Sequence, residues 1–377
     1  MPCRASYNIH QGRYPRAQKV GGKQVSSRTI GIKDVAVAAG VSVTTVSHVL
    51  NDVPYARISP ETRSKVRSAA EQLGYGPNRL AQALRTRRTG MLGLVCEDLA
   101  TTPHAGRIIL GAEEAAKARG YSLLIINTSG SAGRASRQAD FGALLDRRVD
   151  GILHATLHHR KVEVPASLGS VPAVLVGSGA GESKVPAVVP DEEGGMRDAV
   201  NALLDAGHTR LGLIDNADDV PSSRHLVQAF RDTLDEAGLD GGAAPVESGV
   251  PEAQGGYEAA LRILTPKHPA DMPTALFCCN DRMAMGAYRA AAHLGLSIPG
   301  DLSVMGFADQ ELIADSLHPA LTTMELPHYR MAAWAAGLLI DALEGKADLS
   351  RTAAGPAVLG CTLMVRDSVA APAGPAT

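Results

Sequence analysis

The stretch Ile32-Lys33-Asp34-Val35-Ala36-Val37-Ala38-Ala39-Gly40-Val41-Ser42-Val43-Thr44-Thr45-Val46-Ser47-His48-Val49-Leu50 decides how the N-terminal part of the chain is read. Ile32, Val35, Ala36 and Ala39 recur at the i, i+3, i+4, i+7 spacing of a helix with one buried face. Gly40-Val41-Ser42 interrupts the pattern, with Gly at a helix end and Ser placed to cap the next helix. Val46, Val49 and Leu50 form the apolar side of that second helix. Thr44, Thr45, Ser47 and His48 are left on or near its outer side. Helix, three-residue turn, helix is the arrangement that lays its second helix in the major groove of DNA. Ser42, Thr44 and Thr45 are short enough to allow close approach, and a hydroxyl or a Thr methyl can touch base edges. His48, one turn on, offers a ring N–H to a base or phosphate, or is simply a solvated surface residue.

Outward from this motif, Ser59-Pro60-Glu61 opens a third helix with Ser as cap and Pro at its first position. Its apolar stripe is Val66, Ala69, Ala70 and Leu73, ended by Gly74. A fourth, short helix is expected over Arg79–Arg85, followed by the charged linker Thr86–Gly90. From Met91 the texture changes. Short apolar runs (Leu92–Cys96, Ser122–Ile126, Val149–His154, Ala173–Val176, Leu211–Ile214, Ala275–Cys279, Leu302–Gly306) alternate with helix-patterned stretches. Such alternation implies parallel, doubly wound sheets. The segment is too long for one sheet, so two α/β lobes are expected, with a break near Val185–Pro190. The expected organisation is a disordered basic tail (1–28), a helix-turn-helix domain (29–76), a hinge helix and linker (77–90), a two-lobed α/β domain (91–368) and a loose tail (369–377).

Net charge over the 377 residues is −2, but it is unevenly spread. Residues 1–89 carry 15 Lys and Arg against 4 Asp and Glu, and the remainder 22 against 35. A basic head on an acidic body suits phosphate binding by the head alone. The five cysteines are odd in number and lack a CxxC pair, which suits a reducing cytoplasm; Cys278 and Cys279 read as buried small apolar residues. No apolar run approaches the roughly 20 residues of a membrane span, and the first 28 residues lack the apolar segment of a signal peptide. No phosphate-binding loop, zinc-protease motif or nucleophile elbow is present, so no catalysis and no cofactor are expected. His154, His158 and His159 lack Cys or carboxylate partners at ligand spacing and read as a solvated loop rather than a metal site.

Ile32–Ala36, Ala39–Ser42, Thr44–Asn51, Glu71–Tyr75 and Pro77–Ala81 closely resemble the lac repressor family of bacterial regulators. So do Asn280–Ala287, Pro299–Phe307 and Pro319–Thr323. The resemblance runs from Thr29 to Ser368. It implies recognition positions at Val43, Thr44 and His48, and it places Asn51 and Asn78 with the DNA-binding set. It also implies that Leu84 wedges into the minor groove beside basic Arg85, or else packs on the headpiece. An isolated helix this short is unstable in water, so the hinge should order only when two copies meet on DNA. The body resembles periplasmic sugar-binding proteins, with the ligand in the cleft beyond the carboxyl ends of the strands. Asp281 is the first effector candidate, as acceptor or as helix cap or both. Asp191 at the lobe crossing, Asp98, Thr101 and His104 near the cleft mouth, and Arg224 follow. Three departures weaken the case for a sugar ring. Pro103-His104-Ala105 replaces aromatics, Leu226 stands where the family has Arg, and aromatic content is only 3%. The implied protein is a homodimeric, nucleoid-bound cytoplasmic repressor of a pseudo-palindromic operator, controlled by a sugar or related metabolite. A partner protein or phosphorylated metabolite as the controlling agent, and an exported solute-binding protein, are the alternatives.

Overall fold

Gly31 and Asp34 begin the first helix, α1 (Ile32–Ala39): the Gly31 amide donates to Asp34 Oδ2 at 2.8 Å. Gly40 ends it in a left-handed conformation (φ 65°), which glycine adopts without a Cβ penalty. Helix α2 (Val43–Leu50) is capped by Ser42, and α3 (Pro60–Gln72) by Ser59, whose hydroxyl accepts the Thr62 amide. The three close on Val35, Ala36, Val46, Val49, Val66, Ala69 and Ala70, the stripes read from the sequence. These coordinates come from a computed structural model that describes residues 30–53, 55–75, 88–97, 105–128, 134–156, 168, 171–178, 185–218, 221–352 and 355–373. The hinge helix expected over Arg79–Arg85 lies outside the described residues. The chain divides into two compact units, 1–82 and 83–377.

The second unit holds two sheets. In the first lobe, β1 (Met91–Glu97), β2 (Ser122–Thr128), β3 (Gly151–Ala155), β4 (Ala173–Val176), β5 (Ala187–Asp191) and β11 (Ala357–Gly360) run parallel in the order β11-β5-β4-β3-β1-β2. Helix α4 (Ala105–Ala118) packs on one face through Ile108, Ala112 and Ala116, and α5 (Arg134–Asp146) on the other through Phe141 and Leu144. In the second lobe, β6 (Leu211–Asn216), β7 (Val246–Gly249), β8 (Ala275–Cys278), β9 (Ser303–Ala308) and β10 (Thr322–Glu325) are parallel. Only β12 (Thr362–Met364) runs antiparallel, against β10. Helices α6 (Glu192–Asp205) and α7 (Pro221–Glu236) cover one face, and α8 (Ala253–Leu264) and α9 (Asp281–Leu294) the other. Burial on both faces explains why the central strands are continuous apolar runs rather than alternating ones.

The chain passes between lobes three times: after Asp191, between Glu325 and α10 (His328–Leu343), and at Cys361. Helix α10 follows a second-lobe strand yet packs in the first-lobe core through Met331, Ala335, Leu339 and Ile340. The crossing expected near Val185–Pro190 falls just later, because the apolar run 187–190 completes β5 before Asp191 starts α6. The tail expected from Val369 is tied at its start. The Ala370 carbonyl accepts from His208 Nε2 (2.9 Å) and the Ser303 hydroxyl (3.1 Å), and its amide donates back to Ser303 Oγ.

Candidate DNA-reading helix and effector cleft

Helix α2 is anchored so that part of its polar surface is already used. The Ser42 hydroxyl accepts the Thr45 amide at 3.0 Å and shares a hydrogen bond with the Thr45 hydroxyl at 2.9 Å. At the other end the Asn51 side chain donates to the Ser47 carbonyl (2.7 Å) and sits 3.3 Å from its hydroxyl. Of the positions expected to read DNA, Ser42, Thr45, Ser47 and Asn51 therefore hold the helix together. Val43 and Thr44 are exposed in its first turn. Thr44 and His48 are one turn apart on the side opposite Val46 and Val49. Tyr55, 82% exposed, meets His48 edge-on with ring centroids 6.4 Å apart. It extends the same surface, and the sequence reading missed it; its signal was a large aromatic in a turn just past the reading helix. Asp52, at φ 44°, accepts Arg67 at 2.7 Å and fixes the turn to α3. Asn78, Leu84 and Arg85 lie outside the described residues.

In the second unit, β5, β10 and β11 all hand the chain to the other lobe from their carboxyl ends. The carboxyl edges of the two sheets therefore face one another, and Arg107 of α4 spans them. Its guanidinium meets Glu325, the last residue of β10, at 2.8 Å and Glu311 at 3.3 Å. Polar side chains gather along these edges. On the first lobe the hydroxyls of Thr128, Thr156 and Ser178, after or at the ends of β2, β3 and β4, are buried without a hydrogen-bond partner. Both ring nitrogens of His154 are also unpartnered, with Phe141 edge-on at 5.1 Å. Burial, then the Arg137 charge, lowers the His154 pKa to about 4. Arg137 itself pairs with buried Glu97 at 3.7 Å. The expectation of a solvated loop thus fails for His154, which β3 carries inside; His158 and His159 lie outside the described residues.

On the second lobe Asp281 is fully buried, and both its oxygens are taken. Oδ2 accepts the Gln310 amide at 2.5 Å and Oδ1 the Thr323 hydroxyl at 2.6 Å. A Cβ on Gly306 would collide with Oδ1, which fits the absence of a side chain there. Burial raises the Asp281 pKa to about 6 against the pull of these two donors. The capping alternative for Asp281 passes to its neighbour: Asn280 Oδ1 accepts the Met283 amide. The segment that Asp281 holds is strained, with Ala308 at φ 113°, Asp309 at 50° and Leu312 at 69°. Arg366 grips it from the other side through Asp309 (2.8 Å) and Asp315 (2.6 Å). Asp191 caps α6 by accepting the Gly194 amide at 2.9 Å, and Arg224 is exposed on α7. Leu226 is buried in the core. Asp98, Thr101 and His104 lie outside the described residues. Asp215, near the end of β6, is 7% exposed with Oδ1 unpartnered, and the sequence reading passed over it. It lay concealed at the end of the apolar run Leu211–Ile214.

Residues 31–78 match bacterial regulatory proteins, lacI family, and residues 200–369 match the periplasmic binding protein-like domain. The chain is 32% identical over 320 residues to the HTH-type transcriptional repressor PurR of Haemophilus influenzae, covering 84% of this chain and 91% of that one. It is also 32% identical over 311 residues to the ribose operon repressor of Escherichia coli, covering 82% and 92%. The chain belongs to the lacI family of bacterial regulatory proteins. It is a DNA-binding transcriptional repressor. Among solved structures, the lac repressor dimer bound to operator and an anti-inducer matches with a TM-score of 0.70 at 25% identity, over 91% of this chain and all of that one. A complex of the regulator CelR with cellobiose matches at 0.62 and 30% identity, over 90% and 100%. The repressor's relatives are regulators rather than enzymes. Among the described residues no cluster of His, Cys, Asp or Glu could hold a metal, and no helix is long and apolar enough to cross a membrane.

Proposed function

We propose that the repressor binds a pseudo-palindromic operator as a homodimer and that a small metabolite in the inter-lobe cleft sets its affinity. The observation that carries this reading is a recognition helix held by its own caps, with Thr44 and His48 left over for bases. Each protomer lays α2 in the major groove, while Leu84 and Arg85 enter the central minor groove. That wedge costs a few kcal/mol in base unstacking and gains a bent duplex. Buried hydroxyls without protein partners at the carboxyl edges favour a ligand in the cleft. A coupling of 1–3 kcal/mol between cleft and hinge would change operator affinity 5- to 150-fold. The setting is the cytoplasm, at the nucleoid.

Selection from a pool of random duplexes tests the reading. The expected winner is an inverted repeat. Thr44→Ala should weaken binding to it by about 1–3 kcal/mol and relax preference at one base pair per half-site. Leu84→Ala should weaken binding to all sequences that share the central step. A selected site without repeated halves would overturn the dimeric reading.

A further inference from the structure

We propose that Asp215 is a specificity-determining residue of the cleft, and that it selects an effector that is uncharged or cationic and rich in N–H or O–H donors over a phosphorylated or carboxylate one. This rests on the cleft reading above and names the chemistry of its occupant. Strands β6 and β8 are neighbours, with Ile214 opposite Cys278, so Asp215 shares an edge with Asn280 and Asp281. Asp281 is spent inside the protein on Gln310 and Thr323. Asp215 is not: it is more than nine-tenths buried, and Oδ1 has no partner. The Ser223 hydroxyl and the Asn216 amide help the carboxylate without outweighing its burial. An ionised carboxylate buried with an open lone pair is costly, and a ligand donor is what relieves it.

The opposite lobe is complementary. Thr128, Thr156 and Ser178 present neutral hydroxyl oxygens without partners. The cations near these edges are committed: Arg107 to Glu311 and Glu325, Arg137 to Glu97, and Arg366 to Asp309 and Asp315. Leu226, in the position where the family has Arg, is packed into the core. A phosphate or carboxylate would therefore meet Asp215 with none of these three cations free to offset it, a like-charge contact that rejects the wrong ligand. Arg282, beside Asp281 and with Nε unpartnered, and Arg224, exposed on α7, are cations that an anion could recruit, so the test includes both.

The experiment uses the full chain and matched probes: ribose against ribose 5-phosphate, hypoxanthine against inosine monophosphate, and putrescine against succinate. Thermal unfolding is followed at millimolar probe. The expected result is a raised midpoint with at least one unphosphorylated, non-carboxylate probe and none with its anionic counterpart. Asp215→Asn should weaken that probe at least tenfold while its ligand-free midpoint stays at or above the parent's. Asp215→Ser serves if the first variant folds poorly. Stabilisation by an anionic probe that Arg282→Gln or Arg224→Gln abolishes would overturn the proposal while leaving a ligand-binding cleft intact, as would Asp215→Asn binding like the parent. Silence from every probe in both sets would remove the cleft reading and this inference together.

Discussion

His154 and Asp215 lie one residue before the ends of strands in different lobes and are both buried without full hydrogen-bonding partners, yet acid acts on them in opposite directions. The His154 pKa falls from 6.5 to about 4, so between those values the folded protein binds fewer protons than the unfolded chain. Its contribution to stability is complete above that window and is lost as pH falls through it, by up to about 3 kcal/mol. The Asp215 pKa rises from 3.8 to about 6, chiefly through burial. Its contribution is present at low pH and is lost as pH rises toward 6. The two slopes partly cancel in the parent protein. His154→Leu, which replaces an unpartnered ring by an apolar side chain, should raise stability by about 1 kcal/mol and flatten the loss on acidification. Asp215→Asn removes the opposing slope, so its ligand-free stability at neutral pH should stay at or above the parent's while the loss between pH 6.5 and 4.5 becomes steeper. Urea midpoints across that range separate the three proteins; parallel curves would sink both assignments.

At the scale of elements, the same residue types serve structure and recognition, and this limits what α2 reveals before its geometry is known. A Ser or Thr hydroxyl near a helix start suits a base edge and a free amide equally well. In this helix the amide has claimed Ser42, and Ser42 has claimed Thr45. Ser42→Ala should therefore cost the headpiece about 1 kcal/mol, a drop of roughly 4–8 °C for a domain of this size. Thr44→Ala should leave its melting unchanged and act on operator affinity alone. Calorimetry of the headpiece transition beside binding to the selected operator distinguishes the two; equal melting losses would place Thr44 in the fold instead. Larger elements were far more legible. The i, i+3, i+4 stripes of α1–α3 and the apolar runs of β1, β4, β6 and β8 follow from burial on known faces, and burial is written in residue type. Asp191 and Asp281 read as effector candidates, Asp281 also as a helix cap, because a carboxylate after a strand fits those roles. Their actual partners, Gly194 for one and Gln310 and Thr323 for the other, come in part from elements distant in sequence. Polarity alone does not encode such pairings.

Over the whole molecule, the basic segment 1–89 and the acidic remainder divide DNA attraction from DNA repulsion. Beyond the chain crossings, Arg107 joins the lobes. It ties the first lobe to Glu325 at the end of β10 and to Glu311 in the strained segment that Asp281 and Arg366 hold in place. The segment that Asp281 holds is therefore one that the opposite lobe already grips. The ion pairs are partly exposed, with Arg107 at 35% and Glu311 at 72%, so their worth in stability is under about 1 kcal/mol. Arg107→Gln should then move the unfolding midpoint of the second unit by less than about 4 °C. Its effect should appear in local opening instead: amide exchange across residues 308–312 and 322–325 should quicken, while β6 and β8 keep the parent's protection. A large loss of stability with unchanged exchange would make Arg107 an ordinary packing residue. Faster exchange confined to those two segments would identify it as the latch whose release sets how readily the lobes move.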